Sequence, residues 1–221
     1  MARLFAKNGY SVALIARGGD FVNKLATEIN SSGGQAAPFT VPSYTHEAIT
    51  SAWDAIHQNF PKPEYAIRAA LFNVGYGVWK PFLDITPQEV QESLNTNVAA
   101  AFSFSRGAIL AFKDNDIEEA NGKRGALLFT GATASTRGNV LTSAFAAAKF
   151  GTRALSQSLA KEFNKQNIHV AHAIIDGPIK VDRPGQTTTS GPAGEFDASV
   201  RLEPDSIAAA YLYLVHQDRS A

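Results

Sequence analysis

The chain has 221 residues, 45% of them hydrophobic and 18% charged, with 20 lysines and arginines against 20 aspartates and glutamates. That suits one large domain with a full core, and the neutral balance excludes the positive field of a nucleic-acid binder and the acidic bias of a disordered tail. There is no cysteine, which excludes disulfides, thiolate chemistry and cysteine-held metals.

The opening residues, MARLFAKNGY, carry too short an apolar stretch for a signal peptide and read as a helix fragment starting at the first residue. No apolar run reaches the roughly 18 residues of a membrane span, so no membrane partner is expected. The lack of cysteine permits a cytoplasmic address, which is the expectation here. Residues 10–17, YSVALIAR, form a nearly continuous apolar run with the length of a strand buried on both faces. Asp20 is the expected cap of a helix running to about Ser31, ended by Gly33 and Gly34. AAPFTV (36–41) predicts a second strand. Residues 45–60 place apolar side chains at 48, 49, 52, 53, 56 and 60, a helical stripe. AIRAALFNVG (66–75) ends as a third buried strand.

Thr86-Pro87-Gln88-Glu89 is a capping box with proline in the first turn, opening a long helix to about Lys113. GALLFTG (125–131) predicts a fourth strand, residues 142–163 a helix, and IHVAHAII (168–175) a fifth strand. Residues 176–202 are irregular and rich in Gly, Pro, Ser and Thr. Pro204 and Asp205 begin a final helix to about Val215. Strands alternating with helices predict a doubly wound parallel sheet in three layers, in one domain over 1–221.

In such a sheet ligands bind beyond the carboxyl ends of the strands. Arg17 ends the first strand, where a cation suits a ribose 2′-phosphate; a solvated strand-end arginine is the other reading. Gly18 and Gly19 lack the spacing of a dinucleotide fingerprint and read as a tight turn. Asn73, Gly75 and Gly77 follow the third strand and would let a ligand approach the backbone, as would a simple turn. Asn97 lies inside the long helix, where asparagine competes with its own backbone; taken alone, an exposed side chain is the expectation. His172 reads as a satisfied core histidine. His46, His57 and His216 have no metal-ligand spacing, and no metal site is expected. Lys149 sits four residues after Phe145, so both share one helix face.

The order of these pieces resembles the short-chain dehydrogenase/reductase family over essentially the whole chain. FNVG stands where the family has Asn-Asn-Ala-Gly, Asn97 matches its helix asparagine, FTGATASTRG its serine-bearing strand end, FAAAK its Tyr-x-x-x-Lys, and IIDGPIKVD its Pro-Gly turn. The resemblance implies a Rossmann-like fold, NADP(H), and hydride transfer to or from the carbon of a small carbonyl or alcohol. It implies cofactor contacts from Arg17, Asn73, Gly75, Lys149 and Gly177. It also implies catalytic positions at Asn97, Lys149, Phe145 (for tyrosine), Ala132 (for serine) and, next to it, Thr133. In the family the tyrosine gives a proton to the carbonyl oxygen, the lysine binds the nicotinamide ribose and lowers the tyrosine pKa, the serine holds the same oxygen, and the asparagine positions a relay water. Here both hydroxyls are missing. Phe145 holds the tyrosine place, and Ala132 stands thirteen residues earlier. Pro42 replaces an aspartate near the adenine, and Asp176 replaces the proline of the Pro-Gly turn. Substrate-assisted protonation, a bound water or Thr133 would have to supply the proton. A non-catalytic binding protein on the same fold is the alternative function.

Against the family's order, the chain is expected to begin after the first strand and its glycine-rich turn and to stop before the last strand, truncated at both ends. Weak dinucleotide binding follows, because that turn supplies the pyrophosphate site. The expected strand order is 3-2-4-5-6 in family labels. Strands 10–17 and 68–74 then close up, leave a gap, or recruit another chain. The resemblance also implies a homodimer or higher oligomer through the helices at 86–113 and 142–163.

Overall fold

The computed structural model describes residues 1–180 and 201–219. The helices are α1 (Ala2–Lys7), α2 (Gly19–Ser31), α3 (His46–Asn59), α4 (Pro87–Leu94), α5 (Ala100–Lys113), α6 (Ser143–Phe163) and α7 (Pro204–His216). The strands are β1 (Ser11–Ala16), β2 (Gln35–Thr40), β3 (Ala69–Phe72), β4 (Gly125–Ala132) and β5 (Ile168–Ile175). One π-helical turn, Asn95–Ala99, joins α4 to α5, so residues 87–113 run on as the one long helix expected.

Local chemistry explains most boundaries. The capping box closes as expected: Thr86 Oγ1 accepts from the Glu89 N–H, and Glu89 accepts from the Thr86 N–H at 3.0 Å. Thr45 caps α3 by accepting from the Ala48 N–H. The expected cap at Asp20 is a correction. Gly18 occupies the cap position with no side-chain bond, and Asp20 sits in the first turn, where its carboxylate suits the helix dipole.

All pairings are parallel. β1 pairs with β2, from Ser11 opposite Gln35 to Ala16 opposite Thr40. β4 lies between β3 and β5, with Ala69 opposite Ala126 and Ala132 opposite Ile175. The result is a Rossmann-like α/β fold whose sheet is incomplete. Between β1 and β3 no pairing exists among the described residues, so within this chain the two strands do not close up on each other.

β1 carries the consequence. A strand buried on both faces was expected, yet all six of its residues are only half-buried. One edge has no partner strand among the described residues, so less of the molecule covers it. β4, with a neighbour on each side, buries Gly125 through Phe129 outright.

The three layers follow from alternation along the strands. Leu127 and Phe129 of β4 point into a core shared with α3, α5 and α6, where Ile49, Trp53, Ala108, Phe112 and Leu155 pack. Ala126 and Leu128 point the other way, onto Tyr211 and Val215 of α7 and Phe5 of α1. β1 divides its side chains similarly: Ala13 and Ile15 face the first core, while Val12 and Leu14 join Ala26 and Ile29 of α2.

Candidate active site

The candidate site lies where β3 and β4 end and α6 begins. Lys149, in the second turn of α6, projects back to the sheet, and its Nζ donates to the Thr130 main-chain oxygen of β4 at 3.1 Å. It is 6% exposed, so it does not snorkel to solvent. Burial lowers its pKa. Its nitrogen lies 5.8 Å from the Phe145 ring centroid, within cation–π range. The Phe145 ring therefore sits at the carboxyl end of β4, on the side where the sheet ends. Trp79, from the segment after β3, covers it with ring centroids 5.2 Å apart.

Asn97 joins this group and corrects the expectation of an exposed side chain. It is fully buried in the π turn. Its Nδ2 donates to the Ser93 carbonyl one turn earlier and to the Tyr76 carbonyl, both at 2.8 Å, and its Oδ1 accepts from the Tyr76 N–H at 3.4 Å. The amide bonds back to a carbonyl of its own helix and clamps the strand-end segment to that helix. Gly75 lies between the two polar residues. A Cβ there would stand 3.5 Å from Asn97 Oδ1 and 3.6 Å from Lys149 Nζ. Gly75, Asn97, Phe145 and Lys149 thus converge on one point from three segments far apart in sequence.

The other candidates spread around that point. Thr133 follows β4, and its hydroxyl donates to the Asp176 carboxylate just beyond β5. Ala132 presents no polar side chain, and its N–H donates to Ser135 Oγ at 3.0 Å. Asn73 is exposed at the end of β3, and its Oδ1 accepts from Thr130 Oγ1 at 2.7 Å. Gly177 lies beside the returning chain, where a Cβ would stand 3.5 Å from Leu202. Arg17 is exposed at the end of β1, 4.8 Å over the Tyr44 ring and 3.5 Å from Glu92 of α4, so its charge already has partners. The expected covering loop falls mostly on 181–200, outside the described residues.

His172 is a further correction. Neither ring nitrogen has a hydrogen-bond partner among the described residues. Burial, then the charges of Lys149 and Arg153, lower its pKa to about 4. Among the described residues no group of three or more His, Cys, Asp or Glu is placed to hold a metal. No described helix is long and apolar enough to cross a membrane.

The sequence reading missed Thr130, Tyr211 and Trp79. Thr130 carried a usable signal, as a lone polar residue in the apolar strand LLFTG. Tyr211 carried none, because one tyrosine in an apolar helix reads as core.

Comparison with known proteins settles the family. Residues 1–189 match the family model for short chain dehydrogenase. The chain belongs to that family. Among curated relatives, the oxidoreductase YciK of Escherichia coli is 26% identical over 98% of this chain and 81% of its own. Carbonyl reductase family member 4 of Xenopus laevis is 25% identical over 97% of this chain and 84% of its own. Among solved structures, a short-chain dehydrogenase from Rhodopseudomonas palustris is 30% identical, with a TM-score of 0.76 over 100% of this chain and 86% of the other. A short-chain dehydrogenase of Escherichia coli in complex with NADPH is similar in fold, with a TM-score of 0.78 at 24% identity over 99% of this chain and 87% of that one.

Proposed function

We propose that this short-chain dehydrogenase binds NADP(H) at the strand ends and acts on a small carbonyl or alcohol, with proton transfer as its weak step. One observation carries the reading: a buried lysine cation, with no carboxylate partner among the described residues, meets Asn97 and a glycine at the carboxyl edge of a parallel sheet. A buried cation with one neutral acceptor is costly to the fold, and an anionic or hydroxyl-rich ligand would compensate it. With no side chain of its own, Gly75 lets a ligand approach the backbone beside Asn97 and Lys149. In this reading Lys149 holds the nicotinamide ribose, Asn73 and Gly75 line the approach, Gly177 flanks it, and Arg17 engages the 2′-phosphate. When bound, the cofactor supplies or accepts the hydride.

Protonation of the substrate oxygen then lacks its usual donors. Phe145 and Ala132 have no hydroxyl, and the Thr133 proton is engaged by Asp176. That arrangement favours a second reading, a cofactor-binding protein of the same fold with no turnover. A pair through the long helices is part of the proposal, supported by exposed Leu94, Phe102, Leu110 and Phe150.

The test is the double variant Phe145→Tyr with Ala132→Ser, made with the family's first strand and glycine-rich turn fused upstream. NADP(H) binding is read by calorimetry and turnover on a panel of carbonyl compounds. The unmutated fusion should bind and turn over slowly, and the double variant should gain about 10²–10⁴-fold, the worth of a positioned general acid. Vigorous turnover by the unmutated fusion would mean another proton donor. Binding by both with turnover by neither would favour the second reading.

A further inference from the structure

Thr130 lies two residues from the end of β4, and nothing in the family resemblance assigns it a role. Three polar groups converge on it. Its main-chain oxygen accepts from Lys149 Nζ at 3.1 Å. Its hydroxyl bonds Asn73 Oδ1 at 2.7 Å and the Tyr211 hydroxyl, also at 2.7 Å.

The direction of this chain is set by proton counting. Tyr211 is fully buried in α7, and its hydroxyl has no partner except Thr130 among the described residues. A buried phenol must donate, or its hydrogen is left unsatisfied. Tyr211 therefore donates to Thr130 Oγ1. The single Thr130 hydroxyl proton is then free to go to Asn73, which must present its carbonyl oxygen and not its amide nitrogen. Among the described residues nothing engages the two Asn73 amide hydrogens, which are left for a ligand. Lys149 spends one of its three hydrogens on the Thr130 carbonyl and keeps two.

We propose that Thr130 is the positioning residue of the cofactor site, orienting Lys149 through its carbonyl and Asn73 through its hydroxyl, with Tyr211 of α7 fixing the sense of the second link. This rests on the reading of Lys149 and Asn73 as cofactor ligands. Thr130 touches no ligand itself and acts through those two side chains. Thr130 is paired with β5, opposite Ala173, so its carbonyl and hydroxyl project from backbone held in the sheet. Two ligand groups from different elements are thereby oriented by one rigid residue.

Thr130→Val keeps the shape and the carbonyl but removes the hydroxyl, Thr130→Ser restores the hydroxyl, and Tyr211→Phe removes only the far donor. Two measurements decide. The first is NADP(H) affinity by calorimetry in the fusion described above, for each variant alone and in an Asn73→Ala background. Thr130→Val should weaken binding about 5–10-fold, as expected for one net hydrogen bond. Thr130→Ser should bind like the unmutated fusion. In the Asn73→Ala background Thr130→Val should add nothing, because the path is already cut. A loss that adds fully in that background would overturn the proposal, since it would mark general damage to the fold.

The second measurement needs no cofactor. The Asn73 side-chain amide signals in ¹⁵N spectra should show restricted motion in the unmutated protein, averaging in Thr130→Val, partial averaging in Tyr211→Phe, and restriction again in Thr130→Ser. Unchanged Asn73 signals in Thr130→Val would overturn the proposal. If the unmutated fusion binds no NADP(H), the reading of the site falls, and the amide signals still decide the positioning role.

Discussion

Replacing His172 by leucine should make the fold more resistant to acid. The imidazole sits on β5 opposite Phe129, packed so closely on β4 that a Cβ at Gly131 would fall 2.2 Å from its Nε2. Neither nitrogen has a partner among the described residues, and Lys149 and Arg153 bring positive charge towards the ring. The charged form is disfavoured, so the pKa falls from 6.5 to about 4. Between those values the unfolded chain binds a proton that the folded chain refuses. Stability attributable to the neutral ring is therefore full above pH 6.5, declines as the pH falls, and is gone below about pH 4. At about 1.4 kcal/mol per pH unit the ceiling is roughly 3 kcal/mol. Partial solvent access to the ring reduces the expected loss to about 1–2 kcal/mol. Leucine has similar bulk and no proton to gain. Urea unfolding at pH 7.5 and pH 4.5 should show the unmutated protein losing about 1–2 kcal/mol more than His172→Leu over that interval. Parallel stability profiles for the two proteins, or a His172 titration near 6.5 by NMR, would refute the reasoning.

Lys149→Met removes a buried cation that has a carbonyl and an aromatic ring but no carboxylate beside it among the described residues, so the melting temperature should rise by the equivalent of about 1 kcal/mol while NADP(H) affinity in the fusion drops tenfold or more. A less stable variant with intact binding would show that the lysine is structural. Glu92→Gln frees Arg17 from its ion pair, and NADPH should then gain on NADH by a factor of about 2–5 at low salt, with the gain fading as salt rises. An unchanged ratio in calorimetry would remove Arg17 from the cofactor site. Gly77→Ala places a methyl 2.0 Å from the far edge of the Trp79 ring, which is 62% exposed and free to swing away. Stability should hold within about 0.5 kcal/mol, while Trp79 leaves Phe145 and its fluorescence moves to the red; an unshifted spectrum would mean that the backbone yields instead.

Local chemistry made much of this protein legible from its sequence. The capping box at Thr86, the apolar stripe of α3 and the runs that became β2, β4 and β5 depend on neighbours within a few residues, so pattern alone determined them. The same holds for the pairing of Phe145 with Lys149, which one helical turn brings together. What pattern left open depended on partners distant in sequence. β1 reads as a doubly buried strand because its residues are apolar, yet its burial is set by whether a strand lies on each side, and one edge has none among the described residues. Asn97 reads as exposed because a helix interior offers asparagine no partner. The tertiary fold supplied one by bringing the Tyr76 backbone against it and widening the helical turn beneath it. His172 reads as satisfied because buried imidazoles usually are, and only the tertiary packing, with the ring against Gly131, shows that no described residue reaches either nitrogen. Thr130 shows the limit most directly. Its bonds reach Asn73, Lys149 and Tyr211, which lie 57, 19 and 81 residues away. Composition records that a threonine is there. The meeting of a strand, a turn and two helices decides which protons it receives and which it gives.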